Sequence, residues 1–266
     1  MKFLFAIIFV VWSSFVFGQI FFNVASPQGI QAYSNGGTYG NGVSFFDYDG
    51  DGWDDLTFCS NSSNILRYKN VEGEFQADSF FANNADAKQV TYADIDNDGD
   101  YDVLITLNYS PLRLYLNNQG VYENISVNSG ITQIFDGYTF GACWGDYDKD
   151  GFLDVYVCNY NLQDGITNWL FHNNGDLTFT EVAGELGVNN GSVPSFQAVW
   201  LDVNHDTWPD LYVVNDKAPP NALYLNQGDG TFTDISLASG ANIVLDGMTN
   251  TVGDFNHDGL LDVYVT

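Results

Sequence analysis

The chain has 266 residues, of which 45% are hydrophobic and only 15% charged, so it can bury a sizeable core and global disorder is excluded. Thirty-four Asp and Glu face seven Lys and Arg, a formal net charge of −27. That sign repels phosphate backbones and anionic lipid and argues against nucleic acid as a partner. Taken in chain order, the first element is Lys2, an apolar run from Phe3 to Phe17, and the small residue Gly18. Residues 1–18 are therefore expected to be a secretory signal peptide cut before Gln19. The run is shorter than the roughly 18–20 apolar residues of a membrane span. The mature chain is expected to be exported, secreted or held at the cell surface, with no transmembrane helix.

From residue 47 onward one pattern is written five times: DYDGDGWDD at 47–55, DIDNDGDYD at 94–102, DYDKDGFLD at 146–154, DVNHDTWPD at 202–210 and DFNHDGLLD at 254–262. These windows hold 20 of the 34 acidic residues, so the acidity is concentrated at sites rather than spread as a solubility coat. Short apolar runs flank every window. Val43–Phe46 and Ala198–Leu201 precede theirs. Leu56–Phe58, Val103–Ile105, Val155–Val157, Leu211–Val213 and Val263–Val265 follow. A third run comes next (Ile65–Tyr68, Leu112–Tyr115, Trp169–His172, Leu223–Leu225), ends on Asn and Gly, and leads to a fourth, as in Phe179–Ala183 and Phe232–Ser236. Runs this short, rich in β-branched and aromatic residues, predict strands, and no stretch has helical period. Four strands in about fifty residues cannot bury both faces alone and must stack on copies of themselves, which predicts an all-β, β-propeller fold. Phe21–Ala25 matches the fourth-strand pattern and is expected to close the ring as an outer strand. The fifth repeat stops at Thr266 after its second strand, so residues 19–266 read as an incomplete propeller of about four and a half blades, part of a longer protein.

The windows have the chemistry of a calcium loop. Calcium takes six to eight oxygen ligands, and carboxylates at alternate positions of a tight loop can turn inward together. Positions 1, 3, 5 and 9 would give side-chain oxygens and position 7 a carbonyl. In the first loop these are Asp47, Asp49, Asp51 and Asp55 with Trp53; in the second, Asp94, Asp96, Asp98 and Asp102 with Asp100. The third offers Asp146, Asp148, Asp150 and Asp154 with Phe152, and the fourth Asp202, Asn204, Asp206 and Asp210 with Trp208. The fifth offers Asp254, Asn256, Asp258 and Asp262 with Leu260. Glycine at position 6 permits a positive φ. An EF-hand is excluded, because position 12 holds Phe58, Ile105, Val157, Val213 and Val265 where a Glu would be required. Plain acidic turns are the alternative, and five copies in register weigh against it. The second loop, with five Asp, is expected to bind well. The fourth is expected to be weakest, with Thr207 in place of Gly and Pro209 in the turn. His205 and His257, at position 4, are expected to point into solvent.

With these motifs in view the chain resembles the FG-GAP/VCBS repeat family, which includes the propellers of integrin α chains. Phe140-Gly-Ala-Cys-Trp-Gly-Asp146 looks like the start of such a repeat. Asn221-Ala-Leu-Tyr-Leu-Asn226, Gly228-Asp-Gly-Thr-Phe232 and Ser239-Gly-Ala241 look like the subgroup related to cartilage acidic protein and ASPIC/UnbV proteins. The resemblance implies a seven-bladed propeller with calcium in the strand 1–2 hairpins on one face and ligand loops on the other.

Hairpin geometry predicts that residue 143 faces 157, which puts Cys158 on the opposite side of the sheet from Cys143. Together with Cys59 they are expected to be free thiols. The function expected is an extracellular adhesion or binding module for a protein or glycan ligand, with structural calcium. Its contact loops would include Asn108-Tyr-Ser110, Asn159-Tyr-Asn161 and Asn215-Asp-Lys217. A propeller-type carbohydrate-active enzyme, a polysaccharide lyase or sugar dehydratase, is the alternative. Against it, no nucleophile elbow or zincin motif occurs, and His172 reads as a packed strand residue rather than a base.

Overall fold

A computed structural model of the chain describes residues 30, 37, 40–61, 64–79, 85–132, 138–160 and 165–266. The expected signal peptide and the expected ring-closing strand at Phe21–Ala25 lie outside the described residues.

The first sheet is a four-stranded antiparallel meander of β1 (Val43–Phe46), β2 (Asp55–Phe58), β3 (Leu66–Val71) and β4 (Glu74–Ser79). The second repeats it with β5 (Asp86–Ala93), β6 (Asp102–Asn108), β7 (Arg113–Asn118) and β8 (Val121–Asn124). The third has β9 (Thr139–Gly145), β10 (Asp154–Asn159), β11 (Trp169–Asn173) and β12 (Phe179–Glu181). In the fourth, β13 (Ser195–Leu201), β14 (Asp210–Asn215), β15 (Ala222–Asn226) and β16 (Phe232–Asp234) follow the same order. A two-stranded hairpin, β17 (Asn250–Gly253) with β18 (Asp262–Val265), comes last. The first strands of successive units lie side by side in chain order, β1 by β5, β5 by β9, β9 by β13 and β13 by β17.

The second strands are buried on both faces. On β6, Val103, Ile105 and Leu107 pack toward the first sheet while Leu104 packs toward the third. On β10, Val155 and Val157 face the second sheet, whereas Tyr156 and Cys158 face the fourth. Leu211 and Val213 of β14 join that same layer, and Tyr212 and Val214 meet Val263 and Val265 of the last hairpin. The core is thus a series of apolar layers between sheets, each buried Leu, Ile or Val contributing about 1.5–3 kcal/mol.

The first strands approach closely. Residues five before each loop are Gly42, Gln89, Gly141, Gln197 and Thr249. A Cβ on Gly141 would stand 2.0 Å from Gln197 Oε1, and one on Gly42 would stand 2.3 Å from the Lys88 carbonyl. Gln89 Oε1 in turn accepts the Ala142 N–H at 2.6 Å.

Two expectations are corrected. The fourth strands stop early, and the one-turn helices α1 (Ala183–Leu186) and α2 (Ser236–Ser239) follow where no helix was expected. Side-chain acceptors turn the chain there. Glu181 Oε1 takes the Ala183 N–H at 2.8 Å and Asp234 Oδ1 the Ser236 N–H at 2.9 Å. Gly187 and Gly240 then end the helices in the left-handed conformation. The second correction is register. Cys143 pairs with Tyr156, not with residue 157, so Cys143 and Cys158 share the face toward the fourth sheet. The expected register is off by one because the pair that closes the hairpin is Gly145 with Asp154. All three cysteines are free thiols, and burial pushes the Cys59 thiol up to about 12.

Candidate metal centres

All five windows are the connections between first and second strands, and all five close in the same way. The position 1 Asp accepts the N–H of position 5 through Oδ1 at 3.0–3.2 Å. Its Oδ2 accepts the N–H of position 6 at 2.8–3.1 Å. The position 5 carboxylate accepts the N–H of position 7 at 2.8–3.0 Å. These bonds need a left-handed residue at position 6, supplied by Gly52, Gly99, Gly151 and Gly259. Thr207 adopts it too, at φ 76°, and keeps the same bonds to Asp202. The sequence reading missed a second such position: Gly50, Asn97, Lys149, His205 and His257 at position 4 all have φ between 59° and 72°. That turn sends His205 and His257 outward, where both are exposed.

Position 9 is a different kind of residue. Asp55, Asp102, Asp154 and Asp210 are fully buried. Through Oδ2 each accepts the position 2 N–H at 2.8–3.2 Å. Through Oδ1 each accepts the N–H of an Asn at the end of the third strand at 2.7–2.8 Å. Those residues, Asn70, Asn117, Asn173 and Asn226, were not assigned a role from sequence. Each donates Nδ2 to the carbonyl of position 8 at 3.0–3.3 Å. Each also accepts a following Gly N–H at 2.8–3.1 Å, that of Gly73, Gly120, Gly175 or Gly228. Their signal was present as the Asn that ends every third run. Burial raises the position 9 carboxyls above the usual carboxylate range, Asp102 to about 7, with Asp55, Asp154 and Asp210 shifted in the same direction.

Carboxylate oxygens converge in three loops. Asp47, Asp49 and Asp55 bring ligand atoms within 4.8 Å of one another, as do Asp94, Asp96 and Asp102, and Asp146, Asp148 and Asp150. The fourth and fifth loops, with Asn204 and Asn256 at position 3, assemble no such acidic trio among the described residues. Trp53, Asp100, Phe152, Trp208 and Leu260 sit at position 7, each fixed by its N–H. The chemistry on offer is a set of oxygen donors, the kind that suits hard divalent cations.

Third-strand side chains also reach into two loops. Lys69 pairs with Asp49 and, at 3.3 Å, with Asp51. His172, expected as a packed residue, places Nδ1 3.2 Å from Asp154 Oδ1 and 3.4 Å from Asp148 Oδ2. Neighbouring loops touch as well. Asn97 Nδ2 donates to the Gly151 carbonyl at 3.0 Å, and Lys149 Nζ to Thr207 Oγ1 at 2.6 Å.

On the other face, half of the described residues of the expected contact loops are buried. Asn108, Asn159, Asn215 and Tyr160 are buried, and Tyr160 packs on Phe140 and Phe196. Tyr109 and Lys217 are the exposed members, and Asn161 lies outside the described residues. No described helix is long and apolar enough to cross a membrane.

Comparison with known proteins agrees with this anatomy. The FG-GAP-like repeat family matches residues 47–105, 94–157 and 202–265. Cartilage acidic protein 1 of Xenopus tropicalis is 27% identical over 259 residues, covering 84% of this chain and 39% of that protein. The Homo sapiens protein of the same name is 26% identical, with 85% and 38% covered. The chain thus spans about two fifths of the length of these curated relatives. Among solved structures, an Agrocybe aegerita lectin that recognises non-reducing terminal N-acetylglucosamine superposes with a TM-score of 0.50 at 18% identity. The match covers 84% of this chain and 60% of the lectin.

Proposed function

The chain belongs to the FG-GAP-like repeat family, and on that premise we propose that it is an exported, calcium-binding β-propeller segment acting as an extracellular binding module. The observation that carries the calcium reading is the second loop. Five carboxylates stand at alternate positions there, and one of their oxygens, Asp96 Oδ1, is buried without a hydrogen-bond partner. Leaving such an atom unsatisfied costs about 1–3 kcal/mol, and more for a charged group. A hard cation would satisfy it. When bound, calcium supplies positive charge that offsets the crowding of carboxylates and ties the loop's two strands together. Extracellular modules bind calcium at about 10⁻⁴–10⁻³ M, in keeping with a structural ion.

Ligand binding is supported by the family and by the fold shared with a lectin; the ligand is proposed to be a protein or a glycan. The enzyme reading has less support. His172, on β11, is engaged by Asp148 and Asp154.

Thermal unfolding tests the proposal, with calcium titrated from chelator to millimolar excess and magnesium as control. A calcium-specific rise in Tm is expected. No rise in a folded sample would leave the loops as acidic turns.

A further inference from the structure

The five loops share one backbone but not one electrostatic state, and in the four that have a third strand one position of that strand differs with it. The residue before each closing Asn is Lys69, Leu116, His172 or Leu225. In the first loop the Lys69 ammonium is already ion-paired with Asp49 and Asp51. In the third, a ring nitrogen of His172 lies against Asp148 and Asp154. Position 3 of the loop tracks this choice. Where the third strand supplies nitrogen, position 3 is Asp49 or Asp148. Opposite Leu225, position 3 is Asn204, whose own Nδ2 donates to Asp206 Oδ2 at 2.7 Å. Asn256 does the same to Asp258 at 3.1 Å. The second loop breaks the pattern. Leu116 holds the equivalent third-strand position there, position 3 is Asp96, and Asp96 Oδ1 is buried with no hydrogen-bond partner among the described residues.

We infer that the third-strand residue sets each loop's demand for an external cation. The second loop is then the principal calcium site, and the first carries its own cation in Lys69. The inference rests on the calcium reading above and adds a hierarchy to it. A tethered ammonium neutralises the first loop without metal and must be displaced before calcium can enter. An apolar side chain beside a fourth carboxylate leaves the second loop dependent on an ion from solution.

The test is calorimetric titration of calcium chloride into the chain and three variants. Asp96→Asn copies the arrangement at Asn204 and is expected to lose the tightest binding event. Lys69→Leu copies Leu116 and is expected to take up one more calcium per chain. Leu116→Lys places an ammonium where the first loop has one. It is expected to remove the tight event and to raise Tm in chelator, a second readout should Asp96→Asn fold poorly. The inference is overturned if the tight event survives both Asp96→Asn and Leu116→Lys while Lys69→Leu binds no additional calcium; the calcium reading would then stand without the hierarchy. Absence of both calcium heat and a Tm shift in the parent chain would instead overturn the calcium reading itself.

Discussion

The fourth and fifth loops are near copies in sequence, Asp202–Asp210 and Asp254–Asp262, and identical in their internal hydrogen bonds. Their surroundings differ. Asp210 is buried under β15, and its second oxygen takes the Asn226 N–H. Among the described residues Asp262 accepts the Phe255 N–H at 3.0 Å, and it is partly exposed. Loop shape is therefore encoded locally, in the alternation of Asp with left-handed residues, while burial of the last carboxylate is conferred by the third strand. The first is short-range geometry. The second is packing against the third strand.

The sharpest test compares Asp210→Ala with Asp262→Ala by urea unfolding. Removing Asp210 strands two N–H groups at a buried position and is expected to cost about 3–5 kcal/mol. Removing Asp262 frees one exposed N–H and is expected to cost about 1 kcal/mol or less. Equal losses would break the comparison.

A second test uses pH, in chelator. Burial holds the Asp102 carboxyl up to about 7, above the unfolded value of about 3.9. The folded state therefore binds the proton more tightly in that window, and stability is expected to rise as pH falls from about 7 toward 4. Tm measured at intervals across it should climb, and Asp102→Asn should flatten the climb. In calcium the slope should lessen or reverse, because the metal needs the ionised form. The smallest effect is expected at Thr207→Gly, which relieves a β-branched residue held at φ 76° and should stabilise by about 1 kcal/mol. The converse change, Gly259→Thr, should cost the fifth loop a similar amount by the same unfolding assay.

Strand positions and loop boundaries were legible because short β-branched and aromatic runs and Asp-Gly turns report on neighbours a few residues away. Val43–Phe46 was read with its observed bounds. What escaped depends on partners distant in sequence or on a single hydrogen bond. The closing Asn residues matter because they meet a carboxylate 15 to 19 residues earlier in the chain. The Cys143 register turned on which pair closes a nine-residue loop. His172 was read as a packed strand residue and Lys69 drew no reading, and both reach loop carboxylates once the third strand lies beside the loop. Asn108, Asn159 and Asn215 suggested solvated contact loops by composition, yet all three are buried.

The alternation of Gly42, Gln89, Gly141 and Gln197 along the first strands bears on how such a chain can lengthen by duplication. The Gln197 side chain fills the space that Gly141 leaves open, and beside Gly42 the Lys88 carbonyl does so. Copying one sheet alone would set like beside like: two glycines with a gap, or two amides competing for one space. Copying two adjacent sheets preserves the fit at the new junction.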